Sequence, residues 1–225
     1  MLCLKICKMK INIISLLLFF LFNHDCMSQK NNYVAGFYVN QQGDSVNGYF
    51  SINKNDALSN FKFKSRLQES SHLNISFDTC KTLSFGKNYY INWFGKRGMA
   101  FISKFEFTII NIDSFRTEKI PLKLIFKGNH LSLYYYWDVT DHFFMSLDNS
   151  IEELSISYKY LTDWEKLHYT VNLPTYLITP LYRYQIIARM SNKLTTKQKY
   201  LVESCEYDVM DLTRLFRKLD NSLSK

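Results

Sequence analysis

Between Tyr33 and Tyr158 the chain is written as short runs of Phe, Tyr, Ile, Val and Thr, interrupted by turn-forming residues every eight to twelve positions. No other feature narrows its folding as much, because this spacing is that of an antiparallel sheet protein. The runs predict strands at residues 33–39, 46–52, 60–64, 73–78, 89–94, 100–110, 121–126, 130–137, 142–147 and 151–158. Phe61 and Phe63 alternate with Asn60, Lys62 and Lys64, which makes one face apolar and the other wet. Turns are expected at Gly43-Asp44, Gly86-Lys87-Asn88, between Gly95 and Gly98, at Gly128-Asn129 and at Asp148-Asn149.

The periodicity changes after a connector bracketed by Pro174 and Pro180. Leu181, Tyr184, Ile187 and Ala188, with Met190 at the end, recur at helical spacing and predict a first helix with that apolar face. A second helix begins after Thr195 or Thr196, either of which can cap its free N–H groups. A third is capped by Asp208, carries Asp211 in its first turn, and has Arg214, Arg217 and Lys218 toward its negative end. Val209, Leu212, Leu215, Phe216 and Leu219 form its apolar stripe. The expected fold is therefore mainly β (α+β), an antiparallel sandwich or strongly twisted sheet of about eight to ten strands with a C-terminal cap of about three short helices. An outer-membrane barrel is the nearest structural rival, but the chain ends in helices and not in an aromatic membrane-facing strand.

Lys5, Lys8 and Lys10 precede an apolar run at residues 11–22, the order of a secretory signal. That run is too short to cross a bilayer, which takes about 20 residues, and no later segment is longer. Cleavage after Ser28 divides the chain into a leader (1–28), an antiparallel β domain (29–173) and a helical segment packed on it (174–225). Met9 can also begin such a signal, and lipid anchoring through Cys26 is disfavoured because His24 and Asp25 replace the small residues that it needs. The product is expected to be exported: periplasmic, outer-membrane-associated or secreted. Its excess of basic residues, +8 over the whole chain, is scattered along the sequence, so nucleic acid is not an expected partner. Of five cysteines Cys80 and Cys205 remain after cleavage. They either pair, closing a long loop with a gain of roughly 4–5 kcal/mol, or serve as small buried apolar residues.

In GFYVNQQGDSVNGYF, residues 36–50, two strand-like runs flank a polar centre. A phosphate-cradling loop would need more glycines and a following helix. A strand follows here, so Gly43-Asp44 reads as a hairpin tip. The stretch resembles the N-terminal signature of uncharacterised exported proteins of Bacteroidota, a GYIV...GDTI.G.I-type hairpin after a signal peptide. The likeness continues in LSLYYYW, in HFFMSLDNSIEEL and in the spacing of Leu201, Cys205 and Met210. It implies an envelope-associated or secreted protein and supplies no catalytic residue.

The densest polar cluster is WDVTDHFF, where Asp138, Asp141 and His142 could share acid–base work or a metal. Asp and Thr between two aromatic strands are also ordinary turn formers, and no second cluster of His and acidic residues matches it; neither a metal site nor a cofactor is expected. His72, His130 and His168 are isolated, no G-x-S-x-G elbow occurs, and neither cysteine lies in a catalytic setting. Glu152 and Glu153 are adjacent, so on a strand they point to opposite faces. Tyr89, Tyr90 and Trp93, or Tyr134, Tyr136 and Trp137, could present an aromatic binding platform, although core filling by alternate members is the commoner use. GKRG, residues 95–98, reads as a solvated basic tip. The expected function is a non-enzymatic envelope protein that binds a partner protein or a glycan. Its rivals are a hydrolase of an envelope polymer, resting on Asp138, Asp141 and His142, and a carrier of a lipid or other apolar ligand in a cavity between sheet and helices.

Overall fold

The computed structural model describes residues 33–51, 60–103, 108–110, 114–162, 164 and 176–223. The leader, His168 and Pro174 lie outside them. Strands β1 (Tyr33–Asn40), β2 (Ser45–Ser51), β3 (Asn60–Lys64), β4 (Leu73–Ser76), β5 (Cys80–Phe85) and β6 (Asn88–Gly98) form the first half of a large sheet. Strands β9 (Phe115–Lys127), β10 (Leu131–Trp137), β11 (Asp141–Leu147) and β12 (Ser150–Leu154) complete it. All ten pair antiparallel, in the order β12-β11-β10-β9-β6-β5-β1-β2-β3-β4. The two end strands do not pair with each other, so the sheet is not a closed barrel. Two ribbons stand apart: β7 (Phe101–Ile102) with β8 (Ile109–Ile110), and β13 (Ser157–Tyr160) with β14 (Tyr176–Thr179).

The mainly β architecture with a helical cap is thus the one expected, as a single twisted sheet with two small ribbons. The run at residues 100–110 is not one strand, since Phe101 pairs with Ile110 and Ile102 with Ile109. Strand β5 was not anticipated, although Leu83 and Phe85 alternate with polar residues. Strand β14 replaces the end of the expected connector. At the opening hairpin Gly43 has a φ of 101°. Asn40 closes this tip: its Oδ1 accepts from the Asp44 N–H at 2.8 Å and its amide donates to the Asp44 carboxylate at 3.0 Å.

Helices α1 (Leu181–Arg189), α2 (Thr196–Glu203) and α3 (Val209–Leu223) cover one face of the β9 to β12 half. Leu133, Phe143 and Met145 pack there against Tyr182, Leu212 and Phe216. The face of α1 differs from the periodicity reading. Tyr182, Ile186 and Met190 are buried, while Leu181 and Tyr184 are exposed. Tyr182 goes inward because its hydroxyl finds a partner, donating to the Cys205 carbonyl at 2.5 Å. Thr195 caps α2 in a capping box with Gln198, and Asp208 caps α3 by accepting the Met210 and Asp211 N–H groups. Helix α3 runs on to Leu223, so Arg214, Arg217 and Lys218 lie mid-helix and not beside its negative end.

The extra turns of α3 carry Asp220 into the sheet. Its carboxylate accepts the N–H groups of Asn129, His130 and Leu131 at 2.8–2.9 Å and so clamps the β9–β10 turn. Gly128 permits this approach, since a Cβ there would lie 2.2 Å from the Asp220 carboxyl carbon.

A second cluster of Phe50, Phe61, Phe63, Phe85 and Tyr90 fills the β1 to β6 half. Cys80 is buried there, Cys205 is buried in the helical cluster, and both are free thiols. They act as small apolar residues in separate cores and not as a disulfide.

Candidate functional site

The site arises where the sheet leaves its own plane. The β6–β9 ladder runs from Tyr90 opposite Lys123 to Gly98 opposite Phe115, whereas the β9–β10 ladder begins only at Lys123, opposite Tyr135. Beyond Pro121, β6 and β9 therefore form a two-stranded ribbon, and such ribbons twist more strongly than sheets. Four strand spacings separate β6 from β12 in the sheet order, about 19 Å if the sheet were flat. Yet the Gly98 N–H donates to Glu153 Oε2 at 2.7 Å. The ribbon has rolled over the face opposite the helices. Trp93 on β6 meets Phe144 on β11 with ring centroids 4.8 Å apart, and Ile120 and Leu122 are buried beneath. Gly95 allows the roll, because a Cβ there would stand 2.1 Å from the Trp93 ring.

A charged clasp holds the ribbon down. Arg97 is only 2% exposed. Its Nε donates to Glu118 Oε1 at 3.0 Å, one terminal nitrogen bonds the same oxygen at 2.5 Å, and the other reaches Asp138 Oδ2 at 2.8 Å. That second nitrogen also lies 2.9 Å from His142 Nε2 and 3.3 Å from the Gly98 carbonyl. His142 Nδ1 is 2.7 Å from Glu153 Oε1. These partners assign the tautomer: Nδ1 carries the proton and donates to Glu153, and Nε2 accepts from Arg97. Asp138 Oδ1, 3.3 Å from Nε2, would receive a proton placed there. Burial opposes ionisation of Asp138, but the Thr140 and Val139 N–H groups with the Arg97 charge outweigh it and hold the carboxyl below the usual range. Arg116 adds an exposed pair to Glu118 at 3.2 Å.

Beside the clasp lies a cavity of about 430 Å³. Ser114, Thr140, Ser155 and Ser157 line it with hydroxyls, and Phe115, Tyr158 and Tyr207 with rings. Asp141, His142 and Glu153 supply its ionisable groups, and Leu181 closes the helical side. Tyr207 is fixed by its hydroxyl, which donates to the Leu154 carbonyl at 2.5 Å and accepts the Phe143 N–H at 3.3 Å. Gln185 of α1 seals the β12 edge nearby, accepting from Ser155 N–H at 2.8 Å and donating to the Glu153 carbonyl at 3.0 Å.

Of the three residues nominated for chemistry, Asp138 and His142 meet in the clasp. Asp141 turns away, its Oδ1 accepting the Tyr135 hydroxyl at 2.7 Å. Arg97, Glu118 and Glu153 complete the cluster and were missed as members. The basic tip reading of GKRG is corrected: Arg97 points inward, toward partners 21 to 45 residues away along the chain. Glu152 and Glu153 do take opposite faces, Glu152 pairing with Arg189 at 2.9 Å. Of the six aromatic candidates, Trp93, Tyr134 and Tyr136 belong to the half-buried cluster on the rolled face. Tyr89 is half-buried too, and strand alternation places it opposite Tyr90, which is buried in the phenylalanine cluster. Trp137 stands in solvent at 58% exposure. Among the described residues, the acidic or His and Cys groups close enough to share one ion are Glu206, Asp208 and Asp211, and Asp208 is occupied as the α3 cap.

Comparison with protein-family models, with curated proteins and with solved structures gives no match.

Proposed function

We propose that the chain is an exported, non-enzymatic binding protein of the cell envelope whose ligand is a glycan held in the cavity beside the clasp. The observation that carries this reading is the closure of the charged cluster on itself. Both nitrogens of His142 are engaged, and every nitrogen of the Arg97 guanidinium bonds a partner within the cluster. A general base needs a lone pair directed at substrate, and this histidine directs its lone pair at Arg97. The hydrolase reading loses its central residue on that ground. An apolar carrier would need room between sheet and helices, and Leu133, Phe143, Tyr182 and Phe216 fill that interface among the described residues.

The cavity chemistry supports a saccharide. Hydroxyls and carboxylates match the donors and acceptors of a sugar, and Phe115, at 59% exposure, offers a ring face to its apolar C–H surface. The signal-like N-terminus and the resemblance to exported proteins support the location. Among the described residues no helix is long and apolar enough to cross a membrane.

Glycan-array screening followed by titration calorimetry tests the reading. Binding of one saccharide class should weaken at least tenfold in Phe115→Ala, with no hydrolysis product after prolonged incubation. Absence of saccharide binding, or turnover that vanishes in His142→Gln, overturns it.

A further inference from the structure

Resting on that glycan reading, we infer that the cavity selects a saccharide bearing a free ammonium group, as in a de-N-acetylated amino sugar, over neutral or acidic ones. Among the described residues the carboxylates lining the cavity are Asp141 and Glu153, with the His142 ring set between Glu153 and Arg97. Among the described residues no Lys or Arg side chain lines it. Arg97, immediately behind, is 2% exposed and its charge is met by Glu118 and Asp138. Arg116 is held by Glu118, and Lys96 sits over the Phe115 ring, 4.1 Å from its centroid.

The two lining carboxylates are not equivalent. Glu153 spends one oxygen on His142 and the other on the Gly98 N–H. Asp141 spends only Oδ1, on the Tyr135 hydroxyl, and Oδ2 takes no hydrogen bond from the described residues. Burial and the Asp141 charge push the Tyr135 hydroxyl well above the ordinary tyrosine range, so it stays a donor and holds the carboxylate in place. Asp141 Oδ2 is thus a fixed acceptor in a wall of net negative charge. An ammonium gains a charge-assisted hydrogen bond there, whereas an acidic sugar meets repulsion with no cation among the described lining residues to offset it.

The test is calorimetry on the full protein with three probes: a chitosan trisaccharide with its amines protonated, the same trisaccharide N-acetylated, and a trigalacturonate. The aminated probe should bind at least tenfold tighter than the acetylated one, the effect of one charge-assisted hydrogen bond, and trigalacturonate should not bind. Asp141→Asn should remove that preference while keeping the weaker affinity for the acetylated probe. Its circular dichroism and unfolding midpoint should match those of the unmodified chain, because the residue lies at an exposed strand end. Equal binding of aminated and acetylated probes, or a preference that survives Asp141→Asn, overturns this inference and leaves the glycan reading intact. Failure of every saccharide overturns both.

Discussion

Replacing Arg97 with methionine should unlatch the ribbon. The substitution keeps much of the aliphatic volume and removes the one cation shared by Glu118 and Asp138. Breaking a wholly buried ion pair by deleting one partner costs about 3–5 kcal/mol. Here the Glu118 and Asp138 side chains keep 17% and 23% of their exposure, so water can reach them once the arginine is gone. The lower end, about 3 kcal/mol, is therefore expected against a total stability of about 5–15 kcal/mol. In urea, where small proteins lose about 1–3 kcal/mol per molar, the unfolding midpoint should fall by about 1–2 M. Arg116→Met is the control. It pairs with the same Glu118 from solvent and should cost under about 1 kcal/mol. Trp93 reports the local event, because Trp137 and Trp164 are already exposed, whereas Trp93 is packed against Phe144. Below the unfolding transition, Arg97→Met should shift tryptophan emission to longer wavelength. Equal, small losses in both variants with unchanged emission would refute the clasp as the element that keeps the sheet rolled.

Asp220→Asn should cost about 1–3 kcal/mol, read by urea denaturation, because three backbone N–H groups lose a charged acceptor. Burial opposes ionisation of Asp220, but the N–H groups of His130, Asn129 and Leu131 with the His130 charge outweigh it and depress its folded pKa. Its contribution is accordingly complete above about pH 4, the unfolded value, and is lost as pH falls through the folded one; the variant should show a flatter stability profile below pH 4. Thr195→Ala should cost about 1 kcal/mol by removing the hydroxyl of the α2 capping box, with the loss visible as a lower thermal midpoint. Burial pushes the Cys80 thiol up to about 11 and the Cys205 thiol up to about 12. In the chain from Gln29 onward both should resist alkylation at pH 8 when folded and react fully in denaturant without reductant; a single reactive thiol, or none, would contradict two free buried cysteines.

The sheet was legible because its signal is local. Phe61 and Phe63 alternate over five residues, and Asn40 to Asp44 carries its own turn chemistry, so most strands and hairpins announce themselves within a short window, β5 and β14 being the exceptions. Register within α1 was less legible, because Leu181 and Tyr182 are both apolar enough to face inward. What decides between them is the Cys205 carbonyl, 23 residues away, waiting for the Tyr182 hydroxyl. The site was legible only in the part that is close in sequence, Asp138 with His142. Arg97, in a glycine-flanked basic run, looks like a solvated tip until the roll of the ribbon brings Glu118, Asp138 and Glu153 around it. Asp220 was hidden for the same reason: its N–H partners lie about 90 residues upstream.

A charged clasp does more for this fold than an apolar one of equal strength could. Well-packed apolar residues commonly match or exceed a buried ion pair in stability, so Arg97 and its partners are not needed merely to hold the ribbon down. An apolar latch, however, tolerates sliding, whereas Arg97 must meet Glu118 from its own ribbon and Asp138 and His142 from across the roll in a single register. The Gly98 N–H on Glu153 sets that register at the backbone. Glu153 is also a wall of the cavity, as are His142 and Gly98. The contacts that fix the curvature of the sheet therefore also fix the shape and charge of the cavity wall. Preorganisation of this kind lowers the ordering cost of binding, and it links ligand affinity to ribbon closure. A saccharide bound against Glu153 should raise the unfolding midpoint of the intact chain, by RT ln(1 + [L]/Kd) in free energy, and do so far less in Arg97→Met, where closure must be restored before the wall exists. Equal stabilisation of both chains by the same saturating ligand would separate the clasp from the cavity and sink this coupling.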